Sequence, residues 1–447
     1  MSEVQRADGP AGRDGTEGGE SAADIVLRPM RKPTWKLWVT LALCAVGVVW
    51  FLQAWVFQLQ EGMIVTGLGD WGTGGGIPWG IYVGSFIWWV GIAHGGIIIS
   101  AAVRLFGLNK FKPVARLAEL LTVAALIIAT TYIIIHLGRP DRVFTSIVPN
   151  LDITLQTSPL AWDMMVITMY LVLTLTYLFL TLRADIHELR DRLPKRLGPL
   201  YKLILIGHRD DENHKVERMA WWLALGVIIL APLFLHGGVI PWLFALLPGQ
   251  PGWFSAAQGP VFLTAALASA LGGVTILAWV FRRLYGWEDI LDRDVFLELS
   301  RWLGLFALLF LWLQLQKIIT GVHMGPLGDR RVTDAMLGEP LYWIALGLIG
   351  VGMVHAAVQI IAKSTFSLPR TVIVGAMPLL GVYLEKTLFV MEGLQYPHFS
   401  LYDGVPGSYF PSWVELSTLP GVFALVVVMF VLFSRVVPLI ELEAVEE

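Results

Sequence analysis

Continuous apolar runs of about twenty residues recur along the whole chain, and their length decides what it can fold into. A helix rises about 1.5 Å per residue, so about twenty residues cross about 30 Å of hydrocarbon. Inside that layer every backbone N–H and C=O must bond within the protein, which leaves helices or closed barrels. The runs are continuous and do not alternate, so a barrel is excluded. Ten runs qualify, at about 36–58, 79–106, 114–137, 160–183, 218–247, 259–285, 296–321, 340–362, 370–391 and 418–438. The expected fold is an all-α polytopic membrane protein of about ten transmembrane helices. Faint internal repetition suggests two four-helix bundles, spans 2–5 and 6–9, with spans 1 and 10 flanking. Composition agrees: 56% of the 447 residues are apolar and 15% charged, against about 25% charged in soluble domains. A net charge of −3 argues against a nucleic-acid partner. Cys44 is the single cysteine, which excludes an intrachain disulfide and an iron–sulfur cluster held by four cysteines of this chain.

Basic residues orient the spans. They crowd the connections after spans 2, 4 and 6, above all loop 184–217 with Arg190, Arg192, Lys195, Arg196 and Lys202, whereas connections 59–78, 248–258 and 392–417 carry no Lys or Arg. Both termini are therefore expected on the cytoplasmic side of the inner (cytoplasmic) membrane. The expected organisation is a disordered cytoplasmic arm over 1–34, a membrane domain over 35–439, and an acidic tail over 440–447. Two outer connections break the rule, one with Arg139 and Arg142 and one with Arg330 and Arg331. Ion pairs with Asp141 and Asp329, or contacts with a neighbouring protein, would account for them. Trp79, Trp162, Trp242 and Trp253 fall near predicted outer ends, where an aromatic belt is expected. In the inner loop, RADIHELRDRL has the pattern of a short surface helix, or of a solvated connector.

Ionisable groups inside the spans mark where function is to be sought, since each costs about 2.5–3.5 kcal/mol in a bilayer. Counting from span ends places His136, Asp163, His236, Lys317 and the pair Glu385 and Lys386 at similar depth toward the outer face, with His94 and His355 deeper toward the inner face. Plainer readings stand beside these. A single intramembrane histidine often joins two helices, Lys317 could snorkel to the interface, and Arg139–Asp141–Arg142 could be a solvated loop cluster. Glu385 and Lys386, being adjacent, point about 100° apart and should each find a partner elsewhere. His136 and Asp163 stand out because they flank one short outer connection on adjacent antiparallel spans. An imidazole near pKa 6.5 and a carboxylate near 4 (about, in water) can together take and pass protons close to neutral pH. A quinol, with two hydroxyls on an apolar ring, suits that pair, its tail lying in lipid. Two other classes stay open. A secondary transporter also carries midplane charges and repeats. A membrane cytochrome would hold b-type haem between facing histidines, for which His94 with His355, or His136 with His236, are the available pairs.

Three stretches, PWGIYVGSFIWWVGIAHGGIIISAAVRLF, RLAELLTVAALIIATTYIIIHLGRPDRVF and TSPLAWDMMVITMYLVLTLTYLFL, resemble the NrfD/PsrC family of quinone-interacting membrane subunits, and LHGGVIPWLFALLPGQPGWFSAAQGPVFLTAALASALGG resembles its later part. The resemblance covers about 40–390, and the spacing is most similar to the ten-span, ActC-type version in alternative complex III. It implies menaquinol or another quinone as bound substrate and no haem or metal in this chain. It also implies electron exchange with a ferredoxin-like iron–sulfur subunit on the periplasmic side, accompanied by molybdopterin-like or multihaem cytochrome subunits. Carried over by motif, His136 and Asp163 match the quinol-site histidine and aspartate, with His236, Arg139 and Trp242 beside them. ActC-like proteins carry an acid a few residues after the position of His236, where this chain reads VIPWLFA. His94, Lys317, His355, Glu385 and Lys386 are candidates for a proton route, and proton translocation would accompany quinol oxidation or quinone reduction.

Overall fold

The computed structural model describes residues 20–31, 35–68, 79–208, 213–230, 244, 247, 250–253, 255, 257–323, 325–397 and 409–446. Among them the regular structure is helical throughout. Ten long helices carry it: α1 Trp35–Glu61, α2 Ile81–Phe106, α3 Lys112–His136, α4 Pro159–Glu188, α5 Asn213–Leu230, α6 Gln258–Tyr285, α7 Arg293–His323, α8 Pro340–Ile361, α9 Leu368–Gln395 and α10 Trp413–Val436. Nine helices among the described residues are long and apolar enough to cross a membrane, and the chain is a multi-pass membrane protein. α5 is described only to Leu230, and the outer half of the predicted fifth span lies outside the described residues.

Local chemistry sets the helix ends. α3, α4, α8 and α9 begin with proline in the first turn, where its missing N–H is no loss. α10 opens with a capping box, Ser412 and Glu415 satisfying each other's backbone. α2 and α6 stop at Gly107 and Gly286, both left-handed at φ 62° and 64°, a conformation most side chains resist.

The helices close into two rings. α2, α3, α4 and α5 pack in succession with α5 returning to α2, and α6, α7, α8 and α9 do the same. α2 joins the rings by packing on α6 and α9, while α10 lies against α1 and α3. In lipid there is little hydrophobic force between helices, so close approach depends on small residues. A Cβ on Gly95 would lie 2.4 Å from the Cβ of Ala270, and one on Gly304 would lie 2.2 Å from that of Ala356.

The described chain termini meet at one end of the molecule, the terminal face. There Trp287 donates its indole N–H to Ile25 O at 3.1 Å, and Arg28 donates to the carbonyls of Tyr285 and Gly286 at 2.9 and 2.8 Å. Residues 20–31, assigned from sequence to the arm, thus include a helix, Ala22–Leu27, docked on the connection after α6. At the opposite, loop face, Glu415 accepts from Gly67 N at 2.6 Å and Tyr409 Oη at 2.7 Å, and Tyr409 Oη in turn accepts from Ile81 N at 2.8 Å.

Two expectations need correction. RADIHELRDRL is not a separate surface helix: its first residues complete α4, which runs through Glu188. Asp185 turns inward there because Arg116 and the backbone of Leu442 bind it at 2.9 and 3.3 Å. Trp253 is not part of an interfacial belt. It is fully buried, donates to the carbonyls of Phe389 and Val390 at 3.1 and 3.2 Å, and stacks on Trp79 at 5.1 Å. Its indole instead meets α9 backbone beside Gly393, whose missing Cβ makes the room. Trp162 does stay exposed.

Candidate functional site

His136 ends α3 at the loop face and lines a small cleft walled by Trp79, Tyr82, Val83, Phe86, Tyr132 and Ile133. The cleft measures about 20 Å³, the room of one water. Its floor is braced: Tyr82 donates to Gln58 Oε1 at 2.7 Å, and Gln58 Nε2 donates to Ile135 O at 2.9 Å. His136 Nδ1 is buried with no hydrogen-bond partner among the described residues. An imidazole thus faces flat aromatic walls with one nitrogen unmet.

Asp163 lies one turn into α4, at the same end as His136, on a helix packed against α3. It is fully buried, and both carboxylate oxygens lack hydrogen-bond partners among the described residues. No hydrogen bond joins it to His136. It heads a stripe that was not seen in the sequence: Asp163, Tyr170, Thr174, Tyr177, Thr181 and Asp185 recur at three-, four- and seven-residue spacing, one face of the helix, and all are buried. Tyr170 Oη and Thr174 Oγ1 are also buried and unmet among the described residues. His94 comes from α2 to lay its ring 4.9 Å from that of Tyr170. Each unmet buried group costs about 1–3 kcal/mol, which a bound polar molecule or water would recover.

At the terminal face the stripe runs into a buried ionic cluster. Ser100 and Thr181 donate to Glu119 at 2.7 and 3.2 Å, and Arg104 donates to Tyr177 Oη at 3.1 Å. Arg116 sits 3.3 Å from Glu119, 2.9 Å from Asp185 and 3.4 Å from Glu441. Arg104 and Arg116 flank the basic connection after α2, where counting from span ends assigns charges to a loop. The missed signal was Arg116 and Glu119, three residues apart within an apolar run.

The other predicted residues are dispersed. Arg139 does not line the His136 cleft. It is exposed and bound bidentately to Asp141, at 3.0 and 2.9 Å, and those hydrogen bonds hold the Asp141 carboxyl below its ordinary range. Glu385 and Lys386 correct another expectation: although neighbours in sequence, they pair with each other at 3.0 Å. Glu385 also accepts from Gln314 Nε2 at 2.6 Å, and Lys386 Nζ stands 3.8 Å from the centre of the Phe262 ring. Lys317 faces the ring of Phe389 at 4.9 Å. His355, half-buried on α8, keeps Nε2 unmet among the described residues and belongs to the second ring of helices, whereas His94 belongs to the first. His236 and Trp242 lie outside the described residues.

Comparison with known proteins covers most of the chain. The family model described as polysulphide reductase, NrfD, matches residues 71–397. The chain is 28% identical over 422 residues to a putative dimethyl sulfoxide reductase membrane subunit of Halobacterium salinarum, spanning 89% of this chain and 91% of that one. It is 24% identical over 425 residues to a selenate reductase subunit of Mesobacillus selenatarsenatis, spanning 90% and 94%. It is 22% identical over 387 residues to the Hdr-like menaquinol oxidoreductase integral membrane subunit of Archaeoglobus fulgidus, spanning 83% and 87%.

Proposed function

The chain belongs to the polysulphide reductase NrfD family, and from that premise we propose that it is the quinone-binding membrane subunit of a respiratory oxidoreductase complex, acting at His136 and Asp163. The observation that carries this reading is the pair itself. An imidazole in an aromatic cleft and a fully buried carboxylate, each with unmet polar atoms, stand at one end of adjacent helices. A quinol hydroxyl reaching the water-sized cleft would give its proton to His136, and Asp163 would take the second proton as the two electrons leave. The buried polar stripe of α4 would then carry protons between Asp163 and the Arg116 cluster, through Tyr170 and His94.

Electrons would pass to or from an iron–sulfur subunit docked at the loop face. Support for that side is the connection after α3, which exposes Phe144, Val148 and Ile153 beside the Arg139–Asp141 pair, a surface suited to a protein neighbour. The name of the Archaeoglobus relative specifies menaquinol, and we take menaquinol as the substrate here. The other two relatives are named for dimethyl sulfoxide and selenate reductases, which favours a molybdopterin-type reductase partner over alternative complex III. The proposed membrane is the cytoplasmic one, with the terminal face inward.

The test is turnover of the assembled complex with a soluble quinol. His136→Ala and Asp163→Asn should each lower it by at least about a hundredfold, the usual size of a lost general acid or base, while the complex purifies with its normal subunits. Undiminished turnover in both variants removes the site.

A further inference from the structure

A second cavity shares no lining residue with the His136 cleft. It measures about 280 Å³ and opens at the loop face of the second ring of helices, between α7, α8, α9, the short helix Leu327–Gly338 and the turn Pro251–Trp253. That volume is close to the lower end of small-molecule pockets, about 300 Å³. Its position is built rather than incidental. A Cβ on Gly321 would lie 2.1 Å from Thr333 Oγ1, and one on Gly252 would lie 2.5 Å from Val332, so two glycines let the short helix and the turn close the walls.

Charge and surface in this cavity call for a definite kind of occupant. Lys317 and Asp329 line the cavity, and the Glu385–Lys386 pair lies behind its Phe389 wall. Lys386 is matched by Glu385 at 3.0 Å and enclosed by the rings of Phe262, Phe310 and Phe389. Lys317 has no hydrogen bond or ion pair among the described residues; its Nζ lies 4.9 Å from the centre of the Phe389 ring, and it lines the cavity. An ammonium that touches no oxygen at membrane depth is costly and calls for an electron-rich one. Beside it lie the flat face of Phe389, the phenol of Tyr342 and the apolar side chains of Val332 and Met336. Asp329 on the same wall works against a phosphate or any other strong anion. We propose that this cavity is a second quinone-headgroup site, the ring lying against Phe389 with one carbonyl oxygen accepting a hydrogen bond from Lys317. It is separate from the site at His136 and does not depend on it.

The experiment is a fluorescence-quench titration of the purified full-length chain with 2-heptyl-4-hydroxyquinoline N-oxide, a fluorescent quinone analogue. Two equivalents per chain are expected. Lys317→Met should weaken one of them at least about tenfold, the size of a lost charge-assisted hydrogen bond, and Lys317→Arg should retain it. Met336→Trp leaves every charge in place and fills the cavity, so it should abolish the same equivalent even if Lys317→Met folds poorly. His136→Ala should remove only the other equivalent. If His136→Ala changes nothing while Lys317→Met removes binding, the function proposed for His136 fails and this one stands. One equivalent that disappears with His136→Ala overturns this site, as does full binding in both Lys317→Met and Met336→Trp. Displacement of this equivalent by short-chain phosphatidylglycerol but not by menadione would also overturn it, making the cavity a lipid-headgroup site.

Discussion

Arg116 shows how much one residue can hold in a membrane interior. It is almost wholly buried and touches Glu119, Asp185 and Glu441, which come from three parts of the chain. Removing one partner of such a network leaves buried charges unmet, at about 3–5 kcal/mol. Arg116→Leu should therefore lower the thermal unfolding midpoint of the detergent-solubilised chain well beyond the change caused by Arg139→Leu, whose pair is exposed and worth about 0–1 kcal/mol. Equal shifts would deny the cluster its structural role. His136 and Asp163 were legible as residues because a polar side chain inside an apolar run is conspicuous. Arg116 and Asp185 were not, because each sits within a turn or so of a span end, where counting assigns charges to loops. Glu385 and Lys386 misled for another reason. The angle between adjacent helical positions describes the directions of their Cβ atoms, whereas three flexible bonds in Glu and four in Lys let the charged ends come together over the neighbouring aromatic rings.

At the scale of elements, run length gave nine helices their place, and small residues decide how they approach. Gly91 and Gly95 on α2 face Ala266 and Ala270 on α6 with four-residue spacing, the small-residue pattern by which membrane helices come close. This seam joins the two rings. Gly95→Val would drive a branched side chain into Ala266 O and Ala270 Cβ, 2.5 and 2.4 Å from the first added carbon. Overpacking of this kind costs about 1–3 kcal/mol. The expected result is a lower unfolding midpoint, checked against Gly338→Val, where an added Cβ meets nothing within 4 Å. Element boundaries were less legible than the elements. α4 gains a last turn because its acidic residue finds Arg116, and the loop expected at 322–339 contains the helix Leu327–Gly338. That helix is amphipathic and too short for a span, so hydropathy alone passes it over, yet it closes the cavity beside Lys317.

For the whole molecule, repetition in the sequence was faint, but the packing resolves it into two four-helix rings joined through α2 and flanked by α1 and α10. The proposed orientation of this assembly rests on charge. The terminal face gathers Arg190, Arg192, Lys195, Arg196 and Lys202 in one connection. On the loop face, Arg139 is already neutralised by Asp141, so the excess of cations lies with the termini, which supports the inward orientation proposed for them. Cys44 is the single cysteine and is buried, so a Cys44→Ser background makes the orientation directly measurable. In that background Thr145→Cys places an exposed thiol on the loop face, and Glu443→Cys places one on the terminal face, where the native carboxylate is 70% exposed. A membrane-impermeant maleimide added to intact cells should label the Thr145→Cys protein at once and the Glu443→Cys protein only after permeabilisation. The reverse pattern would put the His136 cleft on the cytoplasmic side, and an iron–sulfur partner docked beside Phe144 would then have to be cytoplasmic as well.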